Sequence, residues 1–453
     1  MNDSSVPQGR LYDAIVIGGG LAGLSAARRL RAAGASVVVL EGRSRVGGRV
    51  QSLRLGSGHT IDLGAQFIGD AQRRISALVD EVGLTRVAPH AVGNDMFKLS
   101  SDGETVFRRS NGLPLSLLGR LDALVAMLRL SLRLRSFRND GERLDAVSAA
   151  QFVRQMTVTR PTADLLAAYA EGEMCASLDD VSAYELLDQV ASTGDVNGEA
   201  NSAQWYLAEG TAPLADHLAA GLGDALLLNA PVTGIEAHGD WVTATAASGV
   251  YRGRHLIVTV PPQLYGRIGL LPLLPAERLP VIGDYKQGHV IKTILVFERP
   301  WWRDIGASGR AFGAGGLFNQ ALDSSPADGS VGILVVFATA ACALRLRHAA
   351  TEGERIARAV EWLTTLSGRA IPEPLAARSV DWNADPFSLG GYASRRGIGG
   401  WRATADLFTP AQRVHFAGTE TAGAWRSFME GALQSAERVS DEVLTDLAPG
   451  VGR

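Results

Sequence analysis

The sequence predicts an α/β chain in which a Rossmann-like dinucleotide-binding domain is interleaved with a mixed α+β domain. Three observations predict it. The run YDAIVIGGGLAGLSAARRLRAAGASVVVLEGRSRVGGR, Tyr12 to Arg49, reads as strand, glycine turn, helix, strand, acid and second glycine turn. At 453 residues the chain exceeds what one hydrophobic core usually supports, so two domains are expected. Helical blocks between 113 and 196 then give way to further short strands at 226–260.

Ala14 to Ile17 is apolar and β-branched with no helical period, as in a strand buried on both faces of a parallel sheet. Gly18, Gly20 and Gly23 keep the G-x-G-x-x-G spacing. Gly18 permits a sharp turn, Gly20 lets backbone approach a pyrophosphate, and Gly23 lets helix and strand pack closely. The helix Leu21 to Ala33 puts Leu24, Ala27 and Leu30 on one face and turns its arginines mostly away. Its opening N–H groups, at Leu21, Ala22 and Gly23, direct partial positive charge at the phosphates. Val37 to Leu40 is the second strand, and Glu41 ends it, where a carboxylate can accept from both ribose hydroxyls. The glycines alone could be a turn that binds nothing; the register of strand, turn, helix, strand and acid makes the reading specific. Gly42, Arg43, Gly47, Gly48 and Arg49 extend the anion site past the first turn.

Bulk properties exclude several classes. Composition is ordinary for a globular chain, 46% hydrophobic and 20% charged. A net charge of −3 gives no electrostatic reason for nucleic acid or an anionic membrane as partner. Cys175 and Cys342 stand in no C-x-x-C or metal-ligand spacing, so neither a disulfide framework nor a metal site is expected. Met1 to Arg10 has no apolar signal region, no apolar run reaches the ~18 residues of a membrane span, and no hydrophobic tail follows the last helix. The expectation is a soluble, cytoplasmic protein without an integral membrane segment, for which a homodimer is an open assembly.

Val92 to Phe107 reads as a hairpin with Asp102-Gly103 at its turn. Leu113 to Asn139 is leucine-rich, helical and carries many arginines. A basic amphipathic helix can lie on a membrane surface, but hydrophobics at helical spacing and few lysines favour a helix packed within its domain. Helices continue from Val147 to Val196. A helix Pro213 to Leu222, strands Leu226–Leu228 and Val232–Glu236, and a hairpin of Trp241–Ala246 with Val250–Val260 follow.

EGRSRVGGR resembles the second signature of two-dinucleotide-binding-domain flavoproteins, which bind FAD rather than NAD. Further segments extend the resemblance, over essentially the whole chain, to the flavin-dependent monoamine oxidase family within the FAD amine oxidase and L-amino-acid oxidase superfamily. The resemblance implies an FAD-binding domain of 1–86, 208–281 and 385–453 and a substrate-binding domain of 87–207 and 282–384. IDLGAQF, Ile61 to Phe67, is similar to the turn beside the isoalloxazine ring, placing Gly64, Ala65, Gln66 and Phe67 near the flavin; a plain β-turn is the alternative. Backbone around Val232 would meet the adenine. In VHFAGTETAGAWRSFMEGA, Gly418, Thr419 and Glu420 would carry the ribityl chain and phosphate. The helix from Phe428 would aim the N–H groups of Met429 to Ala432 at the flavin N1 and O2 edge, where its dipole favours reduction. Trp382, in VDWNADPFSLGGY, is expected against the flavin edge.

Periodicity makes Val290 to Phe297 a strand, and by itself favours a solvated Lys292. The resemblance instead puts Lys292 on the lysine that holds a water against flavin N5, where a cation offsets negative charge developing on the ring. Tyr392 and Phe428 match the two rings of the family's aromatic cage, with Phe428 departing from the usual tyrosine and losing its hydroxyl. Gly391 stands where animal monoamine oxidases attach a cysteine to the flavin, so non-covalent FAD is expected. Met174 and Cys175 align with one pocket wall, and Gln204 and Tyr206 lie near the other. Gln66-Phe67 replaces the arginine with which L-amino-acid oxidases grip a carboxylate, although Arg426 could substitute.

The implied reaction is oxidation of a small, apolar or aromatic amine to an imine by hydride transfer to flavin N5, with O2 reduced to H2O2. Alternatives on the same frame are an L-amino-acid oxidase and a dehydrogenase or desaturase of a larger substrate; a redox-silent FAD-binding scaffold is a third class.

Overall fold

The computed structural model describes residues 10–448 apart from 57, 102–103, 111, 314–315 and 401–406. The expected Asp102-Gly103 turn therefore lies outside the described residues.

One seven-stranded sheet runs in the order Val232–Ala237, Val242–Ala246, Gly249–Val258, Leu11–Ile17, Val37–Leu40, Leu226–Leu227, with Val414–Phe416 also paired to Gly249–Val258. Leu11–Ile17 pairs in parallel with both neighbours, and Ala14–Ile17 and Val37–Leu40 are buried throughout, as the short β-branched runs require. Side chains alternate between two cores. Ala14 and Val16 pack against Leu24, Leu30, Leu433 and Val439 of the helices Leu21–Ala32 and Met429–Leu447. Ile15 and Ile17 pack on the other face with Leu256, Tyr265 and Phe416. Register matters most. Ile17 lies opposite Leu40 and Val258, and Val258 opposite Phe416, so Gly18, Glu41, Thr259 and the Ala417-Gly418 turn emerge side by side. That is the carboxyl edge, where open α/β sheets bind ligands.

The second sheet has seven strands in the order Ala376–Asp381, Val290–Phe297, Gly332–Thr339, Gln320–Asp323, Ala307–Gly313, Asn94–Ser101, Glu104–Ser110. Val290–Phe297 is paired antiparallel on both sides and buried at every position. Lys292 is 2% exposed, so the solvated lysine favoured by periodicity alone is overturned. Ile291 and Leu295 face a core with Trp301 and Trp302, while Ile294 and Val296 face Ile61 and Leu63. Two short antiparallel ladders, Arg86–Val87 with Tyr206–Leu207 and Lys286–Gln287 with Ser394–Arg395, lie where the chain passes between the sheets.

The helix Leu117–Leu134 packs within its domain through an unexpected face. It packs through small residues, Gly119, Ala123 and Ala126, together with Asp122, which accepts the N–H groups of Val158 and Thr159. Leu130 and Leu134 pack on the helical core, but Leu117, Leu121, Leu124, Leu128 and Leu132 face outward, with Leu117 86% and Leu124 67% exposed. The helix is packed within its domain as expected, but the face that docks is the small one, which lets backbones approach closely. Among the described residues no helix is long and apolar enough to cross a membrane.

Candidate active site

At the carboxyl edge the two glycine turns dock on each other. Gly18 has φ +107°, and a Cβ on Gly23 would lie 2.0 Å from Gly18 O, so neither position has room for a side chain. Gly20 is open, its nearest neighbour 4.0 Å from a built Cβ, and no side chain caps the helix that starts there. Gly47 N donates to Gly19 O at 2.8 Å, joining the turns. Arg45, which the sequence reading did not single out, donates to Val46 O, Val50 O and Gly48 O and fixes the second turn. Glu41 is 3% exposed and takes Gly19 N on one oxygen at 2.6 Å and Arg43 N on the other at 2.8 Å. Each oxygen keeps a lone pair for a hydroxyl. Val232 opens its strand two residues after Ala230, whose N–H donates to Glu41 O. An open glycine cradle, an uncapped helix start and a carboxylate with spare acceptors fit the nucleotide half of FAD.

Two arginines expected at the diphosphate carry partners of their own. Arg43 bonds Asp385 at 2.5 Å and Ser388 at 2.8 Å and lies over the Phe387 ring, whose edge would be 2.6 Å from a Cβ on Gly42. Arg49 forks onto Glu420, Nη1 to Oε1 at 2.7 Å and Nη2 to Oε2 at 3.1 Å, and reaches Gly391 O at 3.4 Å. Burial opposes ionisation of Glu420, but the Arg49 guanidinium wins and holds the carboxyl below the usual glutamate value. The fork ties the second glycine turn to the Gly418-Thr419-Glu420 turn, 371 residues away.

The Lys292 ammonium is fully enclosed. Nζ donates to Gly64 O and to Gln66 Oε1, both at 2.9 Å, and lies 5.6 Å from the Phe337 ring centre. Burial lowers its pKa from 10.5 to about 8, with the Asp62 carboxylate resisting that fall. Asp62, inside the quoted IDLGAQF but not singled out, accepts from Ser52 Oγ, Thr211 N and Thr211 Oγ1, and burial pushes its own pKa up. Gly64 is wedged so closely that a Cβ there would lie 2.1 Å from Arg49 O. Around this centre, Gln66 Nε2 donates to Ser324 Oγ, Tyr206 Oη to Ser325 O, and Trp382 Nε1 to Leu63 O. Ala65 O accepts from Thr211 Oγ1, and Phe67 follows half-buried. Four distant segments, at Thr211, Lys292, Ser324 and Trp382, thus converge on one turn.

Tyr392 donates to Gly172 O at 2.6 Å and packs with Cys175, Val290 and Ala393. Burial pushes the Cys175 thiol up to about 12, so it is a packing group, not a nucleophile. Met174 turns into the helical core with Phe137 and Leu187. Gln204 accepts Asp70 N at 2.8 Å beside the Ile68 backbone. Phe428 precedes the helix Met429–Leu447, which no side chain caps, and stands edge-on to Trp425 with ring centres 5.4 Å apart. Tyr392, Thr419, Glu420, Arg426 and Ser427 line one small cavity, so the residue before Phe428 and Tyr392 share it. Arg426 Nη1 pairs with Asp188 at 2.7 Å, and Asp188 also takes Arg396, itself paired with Glu185. This buried network left no local trace in the sequence, because its members come from helix 183–192 and from loops some 200 residues on.

A profile of the family described as flavin-containing amine oxidoreductase matches residues 21–444. A putative flavin-containing monoamine oxidase of Mycobacterium tuberculosis is 31% identical over 446 residues, spanning 95% of this chain and 96% of its own length. A putrescine oxidase of Kocuria rosea is 29% identical over 461 residues, spanning 95% of each chain. The solved structure of a putrescine oxidase bound to putrescine superimposes with a TM-score of 0.87 at 25% identity, covering 96% of this chain and 99% of that one. The two glycine turns, the buried lysine and these full-length likenesses agree: the chain belongs to the flavin-containing amine oxidoreductases, FAD-dependent enzymes that oxidise amines.

Proposed function

We propose that this chain oxidises a small amine with an apolar or aromatic body to an imine, with O2 reduced to H2O2. One observation carries the reading. Lys292 spends two N–H groups on Gly64 O and Gln66 Oε1 and keeps the third for a water or a reacting atom. When bound, FAD supplies the two-electron acceptor. Residues 1–86, 208–281 and 385–453 are read as its domain, and 87–207 with 282–384 as the substrate domain. The Gly18–Gly23 turn, Glu41 and Val232 would hold the adenosine diphosphate half. The Gly418–Glu420 turn, the Met429–Ala432 N–H groups, Trp382 and Gly64–Phe67 would surround the ring.

In that arrangement Lys292 orients a water and offsets negative charge, while Tyr392 and Phe428 exclude solvent from an amine held between them. Non-covalent FAD is supported by packing at 391, since a Cβ there would lie 2.4 Å from Val290 Cγ2 and a cysteine has no room. An amine is favoured over an L-amino acid because the Arg426 charge is already matched by Asp188 and Gln66 is neutral. A substrate carboxylate would be desolvated without a dedicated counter-charge. A redox-silent scaffold would have no use for an ammonium held at a cost in the core.

Anaerobic mixing with benzylamine, putrescine and L-phenylalanine, watching flavin absorbance, tests the reading. Benzylamine should bleach the flavin fastest, and admitting air should restore colour with H2O2. Bleaching by L-phenylalanine alone, or by none of a broader amine panel, would overturn it. Denaturation and filtration should release yellow cofactor; colour retained on the polypeptide would refute non-covalent binding.

A further inference from the structure

The helix Leu117–Leu134 carries an apolar stripe that is left exposed among the described residues. At ~100° per residue, Leu117, Leu121, Leu124, Leu128 and Leu132 fall within ~80° of one another, and all five are more than half exposed. Leu118, 63% exposed, widens the stripe. Arg120 and Arg129 border it on its two sides, and Arg135 follows the helix end on the same face. The helix has one carboxylate, Asp122, and it is buried, turned inward onto Val158 and Thr159. Among the described residues Arg120 and Arg129 bond backbone carbonyls, of Leu115 and Met156, and those contacts leave their charges unmatched. Just past the helix Asp140 is matched by Arg133.

We propose that this helix lies in the surface of an anionic lipid bilayer, leucines in the acyl boundary and arginines at the phosphates. Three features argue for it. The leucine stripe flanked by guanidinium groups has the charge and polarity order of an interfacial helix. Its opposite face is bound to the protein through small residues and the buried Asp122, so the outer face is free to meet a surface. A second copy fits less well: two such helices packed about a twofold would bring Arg120 and Arg129 against arginines, with no carboxylate of the helix between them. The overall charge of −3, which gave no reason to expect an anionic membrane, is therefore a poor guide to this one face.

The test is co-sedimentation of the FAD-loaded protein with phosphatidylcholine vesicles and with vesicles also containing phosphatidylglycerol. Binding to the anionic vesicles should exceed binding to neutral ones by about tenfold and fall with salt. The double variants Leu121→Ser/Leu128→Ser and Arg120→Gln/Arg129→Gln should each lose about tenfold in vesicle binding. Flavin content, circular dichroism and amine oxidation in solution should stay unchanged, since none of these residues touches the site. Failure to bind anionic vesicles at low salt, or leucine-variant binding equal to wild type, would overturn the proposal. So would a wild-type dimer by light scattering that the leucine variant splits without any vesicle binding, which would assign the stripe to a second copy.

Discussion

Replacing Lys292 by Met keeps the side-chain length and removes the charge and three N–H donors. Two effects on stability then oppose each other. Burial lowers the Lys292 pKa from 10.5 to about 8, so the charged ammonium costs the fold about 3 kcal/mol at neutral pH, at about 1.4 kcal/mol per pH unit. Methionine removes that cost. It also strands Gly64 O and Gln66 Oε1, each of which loses a 2.9 Å hydrogen bond. A stranded buried acceptor costs about 1–3 kcal/mol, so the two together largely offset the relief and the net change at pH 7 should be no more than about 3 kcal/mol. Catalysis has no such offset, because a preorganised buried donor is worth about 10²–10³-fold in rate. Stopped-flow reduction by benzylamine and reoxidation by O2, followed separately, should show that loss in at least one half-reaction with FAD content unchanged. Urea unfolding of the same samples supplies the second readout. Below pH 8 the lysine is charged in both states and the penalty is full. As pH rises toward 10.5 the native lysine gives up its proton first, so wild type should gain on the variant across that window. Unchanged turnover would remove Lys292 from the chemistry, and a stability difference flat from pH 7 to 10 would refute its depressed pKa.

Two further predictions rest on the same geometry. In wild type, kcat/KM should rise as the substrate amine loses its proton and fall above about pH 8 as Lys292 does; Asp62→Asn, which removes the charge sustaining that ammonium, should move the descending limb to lower pH. A limb that stays in place would show that Asp62 and Lys292 are not coupled. Glu420→Gln leaves Arg49 without its forked counter-charge and should cost about 3–5 kcal/mol in urea unfolding, whereas an exposed pair such as Arg358–Glu361 should matter by less than about 1 kcal/mol.

Features legible in the sequence are local ones. The strand runs at 14–17 and 37–40 and the helix from Leu21 were readable because glycine spacing, β-branching and 3.6-residue periodicity are properties of neighbours in sequence. The hairpin of Asn94–Ser101 with Glu104–Ser110 was readable for the same reason. Periodicity could say that Lys292 sits on a strand, yet whether that face of the strand is covered depends on the distant turn at 61–66 that packs over it. Leucines spaced along Leu117–Leu134 likewise imply one apolar face, and nothing local says whether protein, lipid or water meets it.

By itself, then, the sequence determined the dinucleotide turn, its acid, and, through resemblance, the flavin amine oxidase family. Only the tertiary structure decided which charges are spent and which remain. Arg49 is matched by Glu420 and Arg426 by Asp188, while Lys292 is enclosed with a donor to spare. The physical reason is that desolvation and pairing depend on what the fold brings within about 4 Å, and these partners lie hundreds of residues apart.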